Sequence, residues 1–311
     1  MPAAPAPLQQ FRQLYGDRLQ ENVRMANYTT AHVGGEADAM LIVHSAAELE
    51  EAVRRLWELS LPFTILGSGS NLLISDRGLR GVALINRAKA VKIEARSQPP
   101  TVWAESGANF GAVARQAALR GFSGLEWAGT IPGTVGGAVY GNAGAYGSDM
   151  QANLVVAEIL HPLQGKAEWT LAQMEYGYRT SSLKKNPGQA VILSARLKLT
   201  PSTPAAVQAK MEEFAEKRRK SQPPGASLGS MFKNPSGDYA GRLIEAAGLK
   251  GTRVGGAMVS PVHANFFIND ENATASDIHR LVQLVQHTVL EKTGVRLELE
   301  VEQVGDWTQQ G

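Results

Sequence analysis

Cysteine is absent from all 311 residues. That excludes disulfides, thiolate metal sites, a catalytic thiol and any cofactor joined through cysteine sulfur. Chemistry here must come from oxygen and nitrogen groups or from a borrowed cofactor. No run of about 18 apolar residues occurs, the length a spanning helix requires. The N-terminal MPAAPAPLQQFRQLYGDRLQE also lacks a basic segment leading into an apolar one, so a cytoplasmic protein without membrane insertion is expected. An excess of one charge is missing as well: 31 basic against 29 acidic residues leave +2, without the concentrated basic surface that nucleic acid calls for. The six histidines form neither HxH nor HExxH, and a zinc site is not expected. What remains, 43% apolar and 19% charged residues, is the composition of a globular protein of about two domains.

Residues 1–10, rich in proline and alanine, read as a loose arm. Ser45 and Glu48 read as a capping-box pair opening a helix that ends near Ser60, with Leu49, Val53 and Leu56 on one face. Strands follow at 62–67, 82–86, 90–95 and 101–105, then a helix from Asn109 to Arg120 closed by Gly121. Further strands at 154–160 and 190–200 close a first domain, 1–203, and TPSTPAAVQ (200–208) marks the passage to a second, 204–311. There, a helix turning Val207, Met211 and Phe214 inward ends in the basic run 217–220 and a long loop, SQPPGASLGSMFKNPSGD. A short helix at 239–248 and a strand at 263–269 precede a long helix that Thr274 caps and Gly294 stops. Its apolar face is Ile278, Leu281, Val282, Val285 and Val289. VRLELEVEQV (295–304) alternates as a strand and puts Glu298, Glu300 and Glu302 on one face.

Two glycine-rich segments carry the chemistry. GSGSNLLISD (67–76) follows a strand, where glycines let backbone N–H groups approach a pyrophosphate. It is not a Rossmann fingerprint, since position 72 is Leu and no amphipathic helix follows; a tight turn between strands would use the same residues. TIPGTVGGAVYGNAGAYG (130–147) is too long for one turn and too apolar for a linker, so it should be ordered against a large planar or phosphorylated ligand. Buried turns in a sheet domain are the alternative. The basic run sits where it would complement a helix dipole or hold an anion. In YGYRTSSL, Arg179 suits a carboxylate clamp or a structural ion pair. In GASLGSMFKNP, Ser230 precedes Lys233 and Asn234 in a loop where a serine is ordinarily a turn residue. Nothing in the alternation distinguishes Glu300 from Glu298 or Glu302.

The segments LGSGSNLLISDRGLRG, SGLEWAGTIPGTVGGAVYGNAGAYG, YRTS, SLGSMFKNP, AGRLIEAAGLKG and HANFFIN, in this order over nearly the whole chain, resemble the UDP-N-acetylenolpyruvoylglucosamine reductase family. These are flavoenzymes of peptidoglycan precursor synthesis. The first loop departs by reading GSGSN where GGGSN is usual. The spacing from Arg179 to Ser230 resembles the shorter family type, without the tyrosine-bearing insertion. The resemblance implies an α+β fold, with a vanillyl-alcohol-oxidase-type FAD-binding domain followed by a smaller α+β substrate-binding domain. It implies noncovalent FAD held by Gly67, Ser68, Gly69, Ser70, Asn71 and Leu72, and by Ile131, Pro132, Gly133, Gly136, Gly137, Asn142, Gly144 and Ala145. Arg179, Ser230 and Glu300 would be catalytic, Glu300 being chosen because EVEQVG matches the family's ending. Lys217, Lys233 and Asn234 would meet the substrate diphosphate and sugar. NADPH and UDP-N-acetylglucosamine enolpyruvate are the expected reactants, with no nucleic acid and no obligate protein partner. Another flavin oxidase or dehydrogenase on the same scaffold, or a noncatalytic nucleotide-sugar-binding protein, stands as the alternative.

Overall fold

A computed structural model describes residues 6–307. The fold is α+β, and its contacts divide the chain into two interleaved units: residues up to Leu19, Leu41–Gly67 and Leu84–Arg218 in the first, and Gln20–Met40, Ser68–Ala83 and the chain from Arg219 in the second. Glu36–Val43 and Leu79–Asn86 span points where the chain passes between units. Among the described residues, no helix is long and apolar enough to cross a membrane.

The first unit is built on an antiparallel five-stranded sheet in the order Gly165–Trp169, Leu154–His161, Val191–Lys198, Thr101–Glu105, Val91–Glu94. Alternation explains its two faces. Val102, Ala104, Ala157, Ile159, Ala195 and Leu197 enter the core with Phe110, Val113 and Ala117 of helix Phe110–Leu119. Trp103, Glu158 and Arg196 stay part-exposed on the other side. Asn109 caps that helix through its Oδ1 and Gly121 follows its end at φ +76°, as the sequence predicts. Helix Ala46–Glu58 is capped by Ser45, whose Oγ accepts from Glu48 N at 3.1 Å. The Glu48 carboxylate instead accepts from His44 N and Arg18, so the expected capping box is only half made.

The second unit pairs Ala226–Ser230, Phe266–Asn269, Ala257–Val259 and Arg253–Val254 in one antiparallel sheet. Helix Ala275–Thr293 buries Ile278, Leu281, Val282, Val285 and Val289 against it, and Gly294 ends the helix in the left-handed conformation. A full capping box opens it, with Asp277 N donating to Thr274 Oγ1 at 3.0 Å and Thr274 N to Asp277 Oδ2 at 2.9 Å. Leu72–Ile74 and Glu302–Val304 form a short parallel pair in this unit.

Four expectations are corrected. Residues 6–10 are no loose arm: Ala6–Tyr15 is a helix because Leu8 and Phe11, three apart, are buried; residues 1–5 lie outside the described residues. The glycine segment contains a helix, Val135–Gly141, whose Val135, Ala138 and Val139 all reach the core. The long loop at 221–238 contains strand Ala226–Ser230. Residues 295–304 keep their alternating burial at Leu297 and Val301, but only Glu302–Val304 is strand. Upstream, that segment bonds to 231–233 through a single bridge, Phe232 to Leu299, and makes no continuous ladder.

Candidate functional site

In the first unit Gly67, which opens the first glycine segment, meets the second segment at Thr134. A Cβ on Gly67 would lie 2.5 Å from Thr134 Oγ1, so only glycine lets the first loop pass that close. Thr134 caps helix Val135–Gly141, its side chain accepting from Gly137 N at 3.3 Å. Ile131 N bonds Ala128 O, Gly133 O takes Phe110 N, and Pro132 is exposed between them. Gly136 donates to Ser106 O at 2.7 Å, which turns that side of the helix inward.

The opposite side is bare. A Cβ on Gly141 would meet nothing within 4 Å, and one on Gly137 only Thr134 Oγ1 at 3.7 Å. Residues four apart share a helix face, so these two glycines leave a strip of naked backbone. At the head of the segment, the Thr130 hydroxyl is buried without a hydrogen-bond partner among the described residues. A flat backbone strip, with an orphaned hydroxyl at the head of the same segment, fits a planar ligand with polar edges, such as a flavin.

The helix also places Arg179. Tyr176 Oη donates to Val139 O at 2.8 Å, Ser181 Oγ to Tyr140 O at 2.6 Å and Asn142 Nδ2 to Gly177 O at 2.9 Å. Burial raises the Tyr176 phenol above its ordinary pKa, helped by Asp149, so it remains a donor. The turn it anchors closes between Gly177 and Thr180 and holds Arg179 at φ +56°, a left-handed conformation that is strained for arginine. Its Nη2 donates to Gly144 O at 2.7 Å, and its guanidinium stands 5.2 Å from the Tyr178 ring centroid. Ala145 pairs with Ser148 in the hairpin beyond. Asn142 is buried and also accepts from Gln151 N, so it braces this region from within. Lys217 lies exposed on helix Pro204–Ser221, paired with Glu213 at 2.7 Å.

The second unit gathers the rest. Gly69, at φ +61°, is pinned by segment 28–30: a Cβ there would stand 2.0 Å from Tyr28 O, and Thr30 N donates to Gly69 O at 3.1 Å. Ser68 is exposed, Ser70 and Asn71 are half-buried, and Leu72 begins the short parallel strand. Ser230 ends strand Ala226–Ser230 just after a bulge between Ser227 and Ser230, where Gly229 takes φ +76°. Such bulges re-aim the next side chain. Asn265, buried, clamps the following residues: its Oδ1 takes Phe232 N at 2.9 Å and its Nδ2 donates to Phe232 O at 2.8 Å.

That clamp leads to Glu300, whose N donates to Met231 O at 2.9 Å, one residue beyond Ser230. Lys233 N bonds Glu298 O at 2.8 Å, and the Lys233 side chain, only 16% exposed, pairs its ammonium with the Glu298 carboxylate. Asn234 Oδ1 accepts from Ala240 N at 3.1 Å at the start of helix Ala240–Ala246. Ser230, Glu300, Lys233 and Asn71 thus occupy neighbouring segments of one unit. Sequence reasoning missed Tyr28–Thr30, Thr134 and Asn265. For Thr134 a signal existed in the capping residue ahead of Val135, Ala138 and Val139; Tyr28–Thr30 acts through its backbone, and the Asn265 side chain bonds the backbone of Phe232, 33 residues away, so neither leaves a local pattern.

Residues 220–304 match the model of the UDP-N-acetylenolpyruvoylglucosamine reductase C-terminal domain, and residues 37–170 that of an FAD binding domain. The UDP-N-acetylenolpyruvoylglucosamine reductase of Rubrobacter xylanophilus is 44% identical over 285 residues, 91% of this chain and 94% of that protein. Its namesake from Chloroflexus aggregans is 40% identical over 288 residues, covering 91% and 96%. The crystal structure of the Thermus caldophilus reductase superposes with a TM-score of 0.78 at 34% identity, over 92% of this chain and 98% of that one.

Proposed function

The chain belongs to the UDP-N-acetylenolpyruvoylglucosamine reductase family, and on that premise we propose that it reduces UDP-N-acetylglucosamine enolpyruvate to UDP-N-acetylmuramate. NADPH is the reductant, FAD is held without a covalent bond, and the reaction is cytoplasmic, in peptidoglycan precursor synthesis. The observation that carries the reading is the close approach of the Ser230 strand and the Glu300 segment, joined by the Glu300 N to Met231 O bond at 2.9 Å. Roles are divided so that residues 1–203, a vanillyl-alcohol-oxidase-type domain, hold the flavin, while 204–311 present the substrate.

FAD, once held there, would supply hydride transfer from NADPH to the methylene carbon of the enolpyruvyl group. The chain's own residues govern the fate of the resulting charge and proton. As the C=C pair moves toward the carboxylate, Arg179 holds that carboxylate with a planar fork, and Glu300, when protonated, donates to it. Ser230 gives its hydroxyl proton to the other carbon, and Lys233 or a water restores it. Lys233, with Lys217 and Asn234, is assigned to the diphosphate and sugar. Gly67–Leu72 are assigned to the flavin pyrophosphate and the 131–145 segment to the ring, where the bare strip at Gly137 and Gly141 supports the assignment.

The purified protein should be yellow and release intact FAD on acid denaturation, and its NADPH oxidation should depend on the enolpyruvyl nucleotide. Oxidation of NADPH that needs only oxygen would instead identify an oxidase, and binding of UDP-sugars by colourless protein that takes up no FAD would identify a sensor.

A further inference from the structure

Both backbone groups of Glu300 are held. Its N–H goes to Met231 O at 2.9 Å, and its C=O accepts from the Asn71 side chain, Nδ2 to O 3.1 Å. Glu302 N returns a bond to Asn71 O at 2.9 Å. Asn71 closes the GSGSN loop and leads directly into strand Leu72–Ile74, which pairs with Glu302–Val304. That pairing starts two residues past Glu300; upstream, the Phe232–Leu299 bridge is the β-pairing found among the described residues, and Gln286 Nε2 donates to Leu297 O at 2.9 Å. The Asn71 amide therefore adds a hold at the Glu300 carbonyl between those two pairings, next to Val301, which is buried in the core.

We propose that Asn71 is a positioning residue for Glu300: its side chain sets the peptide from which the Glu300 carboxyl projects, so that engagement of the glycine loop by flavin stiffens the Glu300 segment. The inference rests on Glu300 acting on the substrate. A carboxyl that must meet one substrate group tolerates little misplacement, and a displacement near 1 Å costs about 10²-fold in rate. Losing one of the two hydrogen bonds that flank the Glu300 Cα should cost about 10- to 10²-fold by the same reasoning.

The test is a double-mutant cycle on the holoenzyme at saturating FAD. The enzyme is reduced anaerobically with NADPH and then mixed with the enolpyruvyl substrate, and the return of oxidised flavin absorbance is timed. Asn71→Leu removes the donor at similar size and should slow that return, as should Glu300→Gln. The double variant should be no slower than Glu300→Gln alone. Effects that multiply, or an Asn71→Leu enzyme as fast as the parent while Glu300→Gln is slow, overturn the inference and leave the role of Glu300 standing. A Glu300→Gln enzyme as fast as the parent removes both.

Amide hydrogen exchange of residues 296–304 gives a readout apart from activity. Adding FAD to the flavin-free protein should slow exchange there in the parent and not in Asn71→Leu; equal slowing in both overturns the coupling. Should Asn71→Leu fail to accumulate folded, Asn71→Asp, which keeps the shape and loses the N–H donor, must give the same non-additivity, and multiplicative effects with it overturn the inference.

Discussion

Gly137→Ala sets the stability of the flavin-free fold against its capacity for FAD. The new methyl would stand 3.7 Å from Thr134 Oγ1, an ordinary contact, and meet nothing else within 4 Å. Position 137 lies in helix Val135–Gly141 and has no positive φ, so alanine is unstrained there. Replacing a helical glycine by alanine stabilises by about 0.5–1 kcal/mol, worth about 1–3 °C in the Tm of the flavin-free protein. If the flavin lies against this strip, the same methyl intrudes into a packed contact at about 1–3 kcal/mol, weakening FAD binding about 5- to 150-fold. Gly136→Ala is the control, because its Cβ would press Ser106 Cβ at 2.9 Å and Ser106 O at 3.0 Å and should destabilise the flavin-free fold outright. Thermal denaturation by circular dichroism gives the first quantity, and flavin-fluorescence titration the second. Parent-like FAD affinity in Gly137→Ala would refute the placement of the flavin on this face, and a lower Tm would refute the openness of the strip.

Arg179→Lys should retain flavin and fold but lose about 10²-fold in kcat, since an ammonium cannot reproduce the fork that orients a carboxylate; an unchanged rate at saturating substrate would reduce Arg179 to a structural role. Ser230→Ala should leave reduction of FAD by NADPH nearly as fast as in the parent and slow reoxidation by substrate about 10²- to 10⁴-fold, the usual contribution of one general acid. Stopped-flow absorbance separates the halves, and parent-like reoxidation would move the donor to water or Glu300. Asp277 is a matter of stability: burial would raise its pKa, but bonds from Thr274, Arg280 and Gly256 together hold it below the ordinary value. A depressed carboxylate stabilises above its unfolded pKa and loses that contribution as pH falls through its folded pKa. Asp277→Asn should therefore cost about 1 kcal/mol at neutral pH, and the difference from the parent in urea unfolding should shrink below about pH 4. A difference constant with pH would contradict the ionic origin.

Elements that satisfy themselves locally were legible in the sequence. Thr274, the 278–289 apolar face and Gly294 delimit one helix through cap, stripe and stop, and the structure repeats them almost residue for residue. Val135–Gly141 was not legible, because its glycines erase helix propensity and its stability comes from the Thr134 cap and the burial of Val135, Ala138 and Val139. Strand Ala226–Ser230 hid for a related reason: Ser227, Gly229 and Ser230 read as loop, and their ladder depends on Phe266–Asn269, far along the chain. In the site, alternation made Glu298, Glu300 and Glu302 equivalent. Packing separates them, for Glu298 is 73% exposed and paired with Lys233, Glu302 opens the parallel strand, and Glu300 is tied at both backbone groups. That distinction is made by Asn71 and Met231, partners that no pattern within 295–304 could reveal.

Substrate-dependent reoxidation of the flavin is the most direct test of the proposed activity. The holoenzyme is reduced under anaerobic conditions with one equivalent of NADPH, then mixed with UDP-N-acetylglucosamine enolpyruvate or with UDP-N-acetylglucosamine, while flavin absorbance and products are followed. The enolpyruvyl nucleotide alone should restore the oxidised spectrum and yield UDP-N-acetylmuramate in one-to-one stoichiometry with NADPH. Flavin that stays reduced with the enolpyruvyl nucleotide and returns only when oxygen is admitted would contradict the proposed activity.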